Sequence, residues 1–291
     1  MGSLPVIRTI ADLDRYSDSV VKQVAKTIDL KKIAMQQLEK DGHSEGLLAE
    51  EWDDYMESIV PITCPTCKGE GTVIPGVRAL GVVHASSAHK CTRKLYHDVM
   101  GDIRPKGYIP PKLRIIFEIG HAIHDLVQKA LKRALGDDFE PEVTVDHLDA
   151  LILGGHADGV ARLEFCTVVL EIKTISADGY KKLTKPKDEH ILQAAALYAR
   201  GLDIPFVCFI YIDKASGNMK QYIHVYNEDD FRRWWAQKGR KVEQAVIDGV
   251  PPVADANKWE CKDCPYEHGC EASLTTTRER FRTKDRMRRR K

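Results

Sequence analysis

Apolar residues recur along the chain with two periods, and the change from one to the other divides it. From about Ser19 to Lys40 they keep the spacing of an amphipathic helix, with Asp41-Gly42 as its stop. The stretch Cys64-Pro65-Thr66-Cys67-Lys68-Gly69-Glu70-Gly71 is too rich in breakers to continue a helix. Between about Leu113 and Leu135, Ile115, Ile116, Ile119, Ile123, Leu126, Val127, Ala130 and Leu131 return to helical spacing, and Gly136 ends it. From Val143 the texture is that of strands. Val143–Val145, Leu151–Leu153, Gly159–Leu163 and Val168–Ile172 read as four short strands in succession. A helix over about Asp188–Arg200 follows, then an apolar strand, Phe206–Ile212, and a more alternating one near Gln221–Tyr226. Asp229–Asp248 is helical again and is closed by Gly249 and two prolines. This order predicts a mixed α/β fold around a central sheet flanked by helices.

Composition narrows the class. The 291 residues are 43% hydrophobic and 30% charged, as in a globular protein, and no apolar run is long enough to span a bilayer. No charged-then-apolar signal opens the chain, so the expectation is the cytoplasm, nucleoid-associated or in a host cell if viral. In that reducing setting the 8 cysteines point to metal or redox chemistry before disulfides. The net charge of +1 is unevenly spread: Thr275–Lys291 holds nine Lys or Arg against two Asp or Glu, leaving a mildly acidic body. A basic tail suits nucleic-acid contact through counterion release, and it equally suits a solvated terminus.

The candidate chemistry lies on the strands. Asp158 follows Gly154-Gly155-His156-Ala157 at the start of the third strand, and Glu171-Ile172-Lys173 closes the fourth. A period of two puts Glu171 and Lys173 on one face together with Val169. A carboxylate and an ammonium on an apolar face require a reason. Phosphodiester hydrolysis supplies one: two carboxylates hold Mg²⁺ or Mn²⁺, which polarises the phosphoryl group and activates water, while the lysine positions that water. A cross-strand salt bridge at a sheet edge is the alternative.

Asp158 followed by Glu171-Ile172-Lys173 resembles the core of the PD-(D/E)XK nuclease superfamily, in particular its RecB-like branch, in which Gly-x-x-Asp precedes a Glu-x-Lys strand. The resemblance implies a restriction-endonuclease-like sheet. Gly120-His121-Ala122-Ile123-His124 matches the branch's Gly-x-x-x-His, which makes His124 a further metal ligand with His121 as its competitor; the Ile172 carbonyl is another implied ligand. The branch also carries Gln and Tyr four apart on the next helix. Here Gln193 and Tyr198 are five apart, which on an α-helix turns them away from each other.

Cys261, Cys264 and Cys270 form a C-x-x-C-x5-C cluster, an incomplete tetrahedral set for which Cys91 is the natural fourth member. Four thiolates accept zinc or an iron–sulfur cluster, and four unligated thiols is the bland alternative. The layout is similar to that of the iron–sulfur RecB-like nucleases, including the CRISPR-associated exonucleases and AddB nuclease domains. That resemblance implies a 4Fe–4S cluster joining the two ends of the core. Cys64 and Cys67 resemble half of a zinc knuckle, and His84 and His89 offer themselves as completing ligands for Zn²⁺; a bare thiol pair or zinc shared with a partner chain are the alternatives. Cys166 and Cys208 sit in apolar strand contexts and read as core residues.

Together these readings predict a helical N-terminal extension with a possible zinc knuckle (1–80), a nuclease domain (81–270) and a basic tail (271–291). The expected function is metal-dependent hydrolysis of DNA. The resemblance implies exonucleolytic trimming of single strands or duplex ends in recombination or repair, with a protein partner for the extension. Two other classes compete with it: a catalytically idle nuclease fold acting as a DNA-binding scaffold, and an Fe–S sensor.

Overall fold

The computed structural model describes residues 4–41, 61–63, 70–72, 83–100, 111–145, 147–148, 151–256, 260–261, 264, 266 and 270. Helices α1 (Ile10–Leu13), α2 (Asp18–Thr27) and α3 (Leu30–Asp41) come first. Short strands β1 (Pro61–Thr63), β2 (Glu70–Thr72) and β3 (Val83–His84) precede helices α4 (Thr92–Met100) and α5 (Pro111–Leu135). Then come β4 (Phe139–Thr144), β5 (His147–Leu148), β6 (Leu151–Gly154), β7 (His156–Arg162) and β8 (Thr167–Ile175). Helix α6 (Ala177–Lys182), a long helix α7 (188–201), β9 (Phe206–Asp213), β10 (Met219–Val225) and a final helix α8 (228–248) complete the order.

The central sheet has five strands in the order β10-β9-β8-β7-β4. Only β8 and β9 run parallel, so the sheet is mixed, as expected. Both faces are covered. On β8, Val168, Leu170 and Ile172 join Cys208, Ile210, Val127 and Leu131 in one apolar cluster, whereas Val169 lies in the other with Phe209, Tyr211 and Ala194–Ala199. Burying each such large side chain contributes about 1.5–3 kcal/mol, which is why β8 and β9 are nearly continuous apolar runs. Cys166 and Cys208 are both fully buried, and burial pushes the Cys166 thiol up to about 12 and that of Cys208 higher still.

The N-terminal helices form part of this packing. Ile7 bridges to Cys166 beside β8, and Val21, Val24, Ile28, Leu30 and Ala34 lie in the same cluster as Leu170 and Ile172. The single amphipathic helix expected over Ser19–Lys40 is in fact two. Ile28 is extended (φ −76°, ψ 110°), and Asp29 caps the second helix by accepting from Lys32 N–H at 3.0 Å. The Asp29 cap offsets the cost of that break, because it satisfies a backbone donor that the new helix leaves orphaned. Gly136 and Gly249 end their helices in the left-handed region, with φ +57° and +64°. Among the described residues no helix is long and apolar enough to cross a membrane.

The start of α4 is tied to the arm that follows α8. Asp255 accepts from Thr92 N–H (2.6 Å) and Thr92 Oγ (2.5 Å), capping α4 from 163 residues away, and Arg93 Nε donates to the Pro252 carbonyl at 2.7 Å. Burial opposes ionisation of Asp255, but the Thr92 bonds and Lys238 outweigh it and hold its carboxyl below the usual range. Folding therefore favours the charged form, and the contribution is present above the ordinary carboxylate pKa and fades as pH falls through the lowered one. Asp255→Ala should cost about 1 kcal/mol at neutral pH, with the difference from wild type shrinking below pH ~4; thermal denaturation across pH measures both.

Candidate active site

The ladder between β7 and β8 runs from Arg162↔Thr167 to Gly159↔Leu170 and stops. One step further, the same register sets Asp158 opposite Glu171. There the strand amide that the ladder no longer uses goes to a side chain: Ile172 N–H donates to Asp158 Oδ2 at 2.5 Å. The other oxygen, Oδ1, lies 3.4 Å from His124 Nδ1. His124 reaches it because α5 crosses close to β8 at Gly120, where a Cβ would stand 3.4 Å from Thr174 Oγ. His121, one turn earlier on α5, is exposed.

Glu171 is only 1% exposed and Lys173 is half-buried beside it, its ammonium against Glu171 Oε1. Among the described residues Oε2 receives no hydrogen bond. Burial, opposed by Lys173 and aided by Asp158, pushes the Glu171 carboxyl up to about 7. For Lys173 burial acts against the charge, but Glu171 and Asp158 outweigh it and hold the ammonium above its ordinary pKa. A buried pair of this kind gains little net stability, because desolvation offsets the attraction. A carboxylate oxygen with no donor in the interior is a group that requires an explanation, an ion among them.

Strand β9 continues the site. Lys173 is in register with Tyr211, whose hydroxyl meets His190 Nδ1 at 2.7 Å and accepts from Lys187 N–H at 3.2 Å. Burial pushes His190 down to about 3, with Lys173 and Lys187 adding to it, so the imidazole beside the lysine is neutral. Neither His190 nor Tyr211 carries a motif signal of its own. Gln128 is also new to the site: it lies one turn beyond His124 on α5, buried, and donates to the Asp158 carbonyl at 2.7 Å. Its spacing of four from His124 is the signal that marks it.

The expectation that Gln193 and Tyr198 face apart is overturned. Residues Ile191–Tyr198 form a π-helix, in which Ala199 N–H donates to Ala194 O, five residues back. Five residues in an α-helix overshoot a full turn by about 140°, whereas a π-turn stacks them. Gln193 Nε2 accordingly reaches Tyr198 Oη at 3.4 Å. The Tyr198 hydroxyl sits over Gly155, where a Cβ would come within 2.7 Å of it, and Gly155 has φ +155°. Only glycine fits there. Burial first, then Glu171 and Asp158, push the Tyr198 phenol far above its ordinary pKa, so it stays a donor.

Burial raises the Cys264 thiol, and Cys91 and Cys270 add to the shift. Cys264 N–H donates to the Cys261 carbonyl at 3.3 Å, and Arg93 lies 3.9 Å from the Cys270 sulfur. Cys64 and Cys67 lie outside the described residues. His84 stands on β3, while His89 is half-buried near Lys90, Glu189 and His190, with burial lowering its pKa. Among the described residues no three His, Cys, Asp or Glu side chains close into a ready-made metal cage.

No protein-family model and no curated protein matches the chain. Solved structures do. A structure described as SSO0001 is 18% identical with a TM-score of 0.45, covering 68% of this chain and 90% of that one. An alkaline exonuclease, LHK-Exo from Laribacter hongkongensis, is 15% identical with a TM-score of 0.41, covering 58% and 93%. The same exonuclease in complex with dAMP is 16% identical with a TM-score of 0.42, again over 58% and 93%.

The π-turn generates a test that needs no substrate. Deleting Ala195 should return the segment to an α-helix with Gln and Tyr four apart, leaving the flanking elements in place and the melting temperature near that of wild type. Deleting Ala130 from the regular helix α5 should instead swing Leu131 out of the core by about 100° and unfold the chain. Circular dichroism and thermal melts distinguish the two.

Proposed function

We propose that this chain is a metal-dependent nuclease that hydrolyses DNA phosphodiester bonds. The observation that carries the reading is the pair of carboxylates at Asp158 and Glu171, the second fully buried, with one oxygen lacking a donor among the described residues and a lysine held charged against the other. An edge salt bridge does not explain it, since β8 lies in the interior of the sheet. Asp158 and Glu171 would hold Mg²⁺ or Mn²⁺, with His124 and the Ile172 carbonyl as further ligands. Such a cation, when bound, acts as a Lewis acid on a phosphoryl oxygen. A divalent ion would share Glu171 with Lys173, freeing the ammonium to face the developing charge and orient water. Tyr198, kept protonated over Gly155 and joined to Gln193, is a fixed donor at the same place.

The finer reading rests on the resemblance: exonucleolytic trimming of single strands or duplex ends, in recombination or repair, with DNA as partner and the cytoplasm as site of action. It also covers a 4Fe–4S cluster on Cys91, Cys261, Cys264 and Cys270, which rests on the same resemblance. Zinc on Cys64, Cys67, His84 and His89, and a protein partner for the first eighty residues, belong to the same reading.

Asp158→Ala, Glu171→Ala and Lys173→Ala should each abolish cleavage of linear DNA with Mn²⁺ while the chain stays folded. Because the three act as a unit, double variants should be no worse than singles. Mn²⁺ should serve at least as well as Mg²⁺, since an imidazole ligand is softer than a carboxylate, and His124→Ala should do more damage than His121→Ala. Full activity in Glu171→Ala would refute the assignment. Separately, anaerobically purified protein should be brown with about four irons per chain. Cys91→Ser or Cys270→Ser should bleach it, whereas Cys166→Ser should leave the colour intact; zinc without iron at these positions would refute the cluster and leave the nuclease reading standing.

A further inference from the structure

Glu142 lies on β4 between two register pairs, Pro141↔Gly159 and Val143↔Ala157, and so stands across from Asp158 on β7. Its φ is +51°, one of two positive values among the non-glycine residues described. A side chain rarely adopts this left-handed conformation unless its surroundings enforce it. The Glu142 side chain, though exposed, is held by Gln128. This buried amide donates through the same nitrogen to Glu142 Oε1 at 2.6 Å and to the Asp158 main-chain carbonyl at 2.7 Å. Both of its protons are thereby used, and the two strands are tied to α5 one turn from His124. Burial first, and then Glu171, Asp158 and Glu142, keep the Tyr198 phenol protonated.

Asp158 is thus held at three points. Its carboxylate takes the Ile172 amide and faces His124, and its main chain is pinned by Gln128. Gln128 in turn is oriented by Glu142, because an amide that gives one proton to a carboxylate has little freedom to rotate away from its second acceptor. The left-handed backbone at Glu142 accompanies that approach of the carboxylate to the amide.

We propose that Gln128 and Glu142 are positioning residues for Asp158: they fix the main chain that carries it and so set the affinity of the site for its divalent cation. This rests on the metal-centre reading above. The pair acts through hydrogen bonds, and Glu142 does not itself ligate the ion. The oxygen of a glutamine at position 142 still accepts from Gln128, so Glu142→Gln keeps the tie. Glu142→Gly removes it while relieving the left-handed backbone, so any loss it shows is not a loss of fold. Gln128→Leu keeps volume and removes both donors.

The test is Mn²⁺ binding to the full chain without DNA, followed by electron paramagnetic resonance or calorimetry, with thermal melts alongside. Wild type should bind, and Asp158→Asn should not. Glu142→Gly should melt no lower than wild type yet bind Mn²⁺ at least tenfold more weakly, the size of loss usual for partners that orient a ligand. Gln128→Leu should lose as much, the double variant should be no worse than either single, and Glu142→Gln should bind nearly as wild type does. Unchanged affinity in Glu142→Gly overturns the proposal. Equal loss in Glu142→Gln and Glu142→Gly also overturns it, by making the charge itself the ligand. A wild type that fails to bind Mn²⁺, with Asp158→Asn no different, removes the metal-centre reading and this proposal with it.

Discussion

A carboxylate and an ammonium share one face of the most interior strand, and the surrounding architecture exists around that constraint. Glu171 is buried because β8 has β9 on one side, β7 on the other and helices over both faces. Taking such a charge out of water costs several kcal/mol even after relaxation. Lys173 offsets part of that cost, Asp158 adds to it, and among the described residues one oxygen of Glu171 is left without a donor. The site is therefore held in place by a fold stable enough to tolerate it, which is the usual relation between a functional centre and its scaffold.

That scaffold secures the site from several directions. The end of the β7–β8 ladder releases the Ile172 amide to Asp158; α5 delivers His124 and Gln128; the π-turn in α7 delivers Gln193 and Tyr198; and β9 places Tyr211 and its partner His190 behind Lys173. Each group comes from a regular element, so small positional errors are suppressed by packing. The two ends of the core are likewise joined by ordinary hydrogen bonds: Asp255 caps α4, Arg93 holds the Pro252 carbonyl, and Tyr266 donates to Asp98 at 2.9 Å. Any cluster on the nearby thiols would reinforce a junction that polar contacts already form.

The sequence by itself determined the elements and the chemistry-bearing residue types. Strands β7 to β10, helix α5 and the glycine stops at Gly136 and Gly249 were legible because period and turn chemistry are local properties. Glu171 and Lys173 were legible because their strand is otherwise apolar, and Asp158 through its Gly-x-x-Asp setting ahead of that strand. What the tertiary structure alone decided involves partners far apart in the chain, or alternatives of nearly equal local energy. The break at Ile28-Asp29 is one: helical periodicity continues through it, and only the Asp29 cap and the packing of both halves on the sheet select the break. The meeting of Gln193 with Tyr198 is another, since a five-residue spacing has no fixed meaning until packing against the sheet chooses a π-turn over an α-turn. The Asp255 cap and the Gln128 tie join residues 163 and 30 positions apart. No local pattern encodes such pairs, because their geometry exists only once the core has brought the elements together.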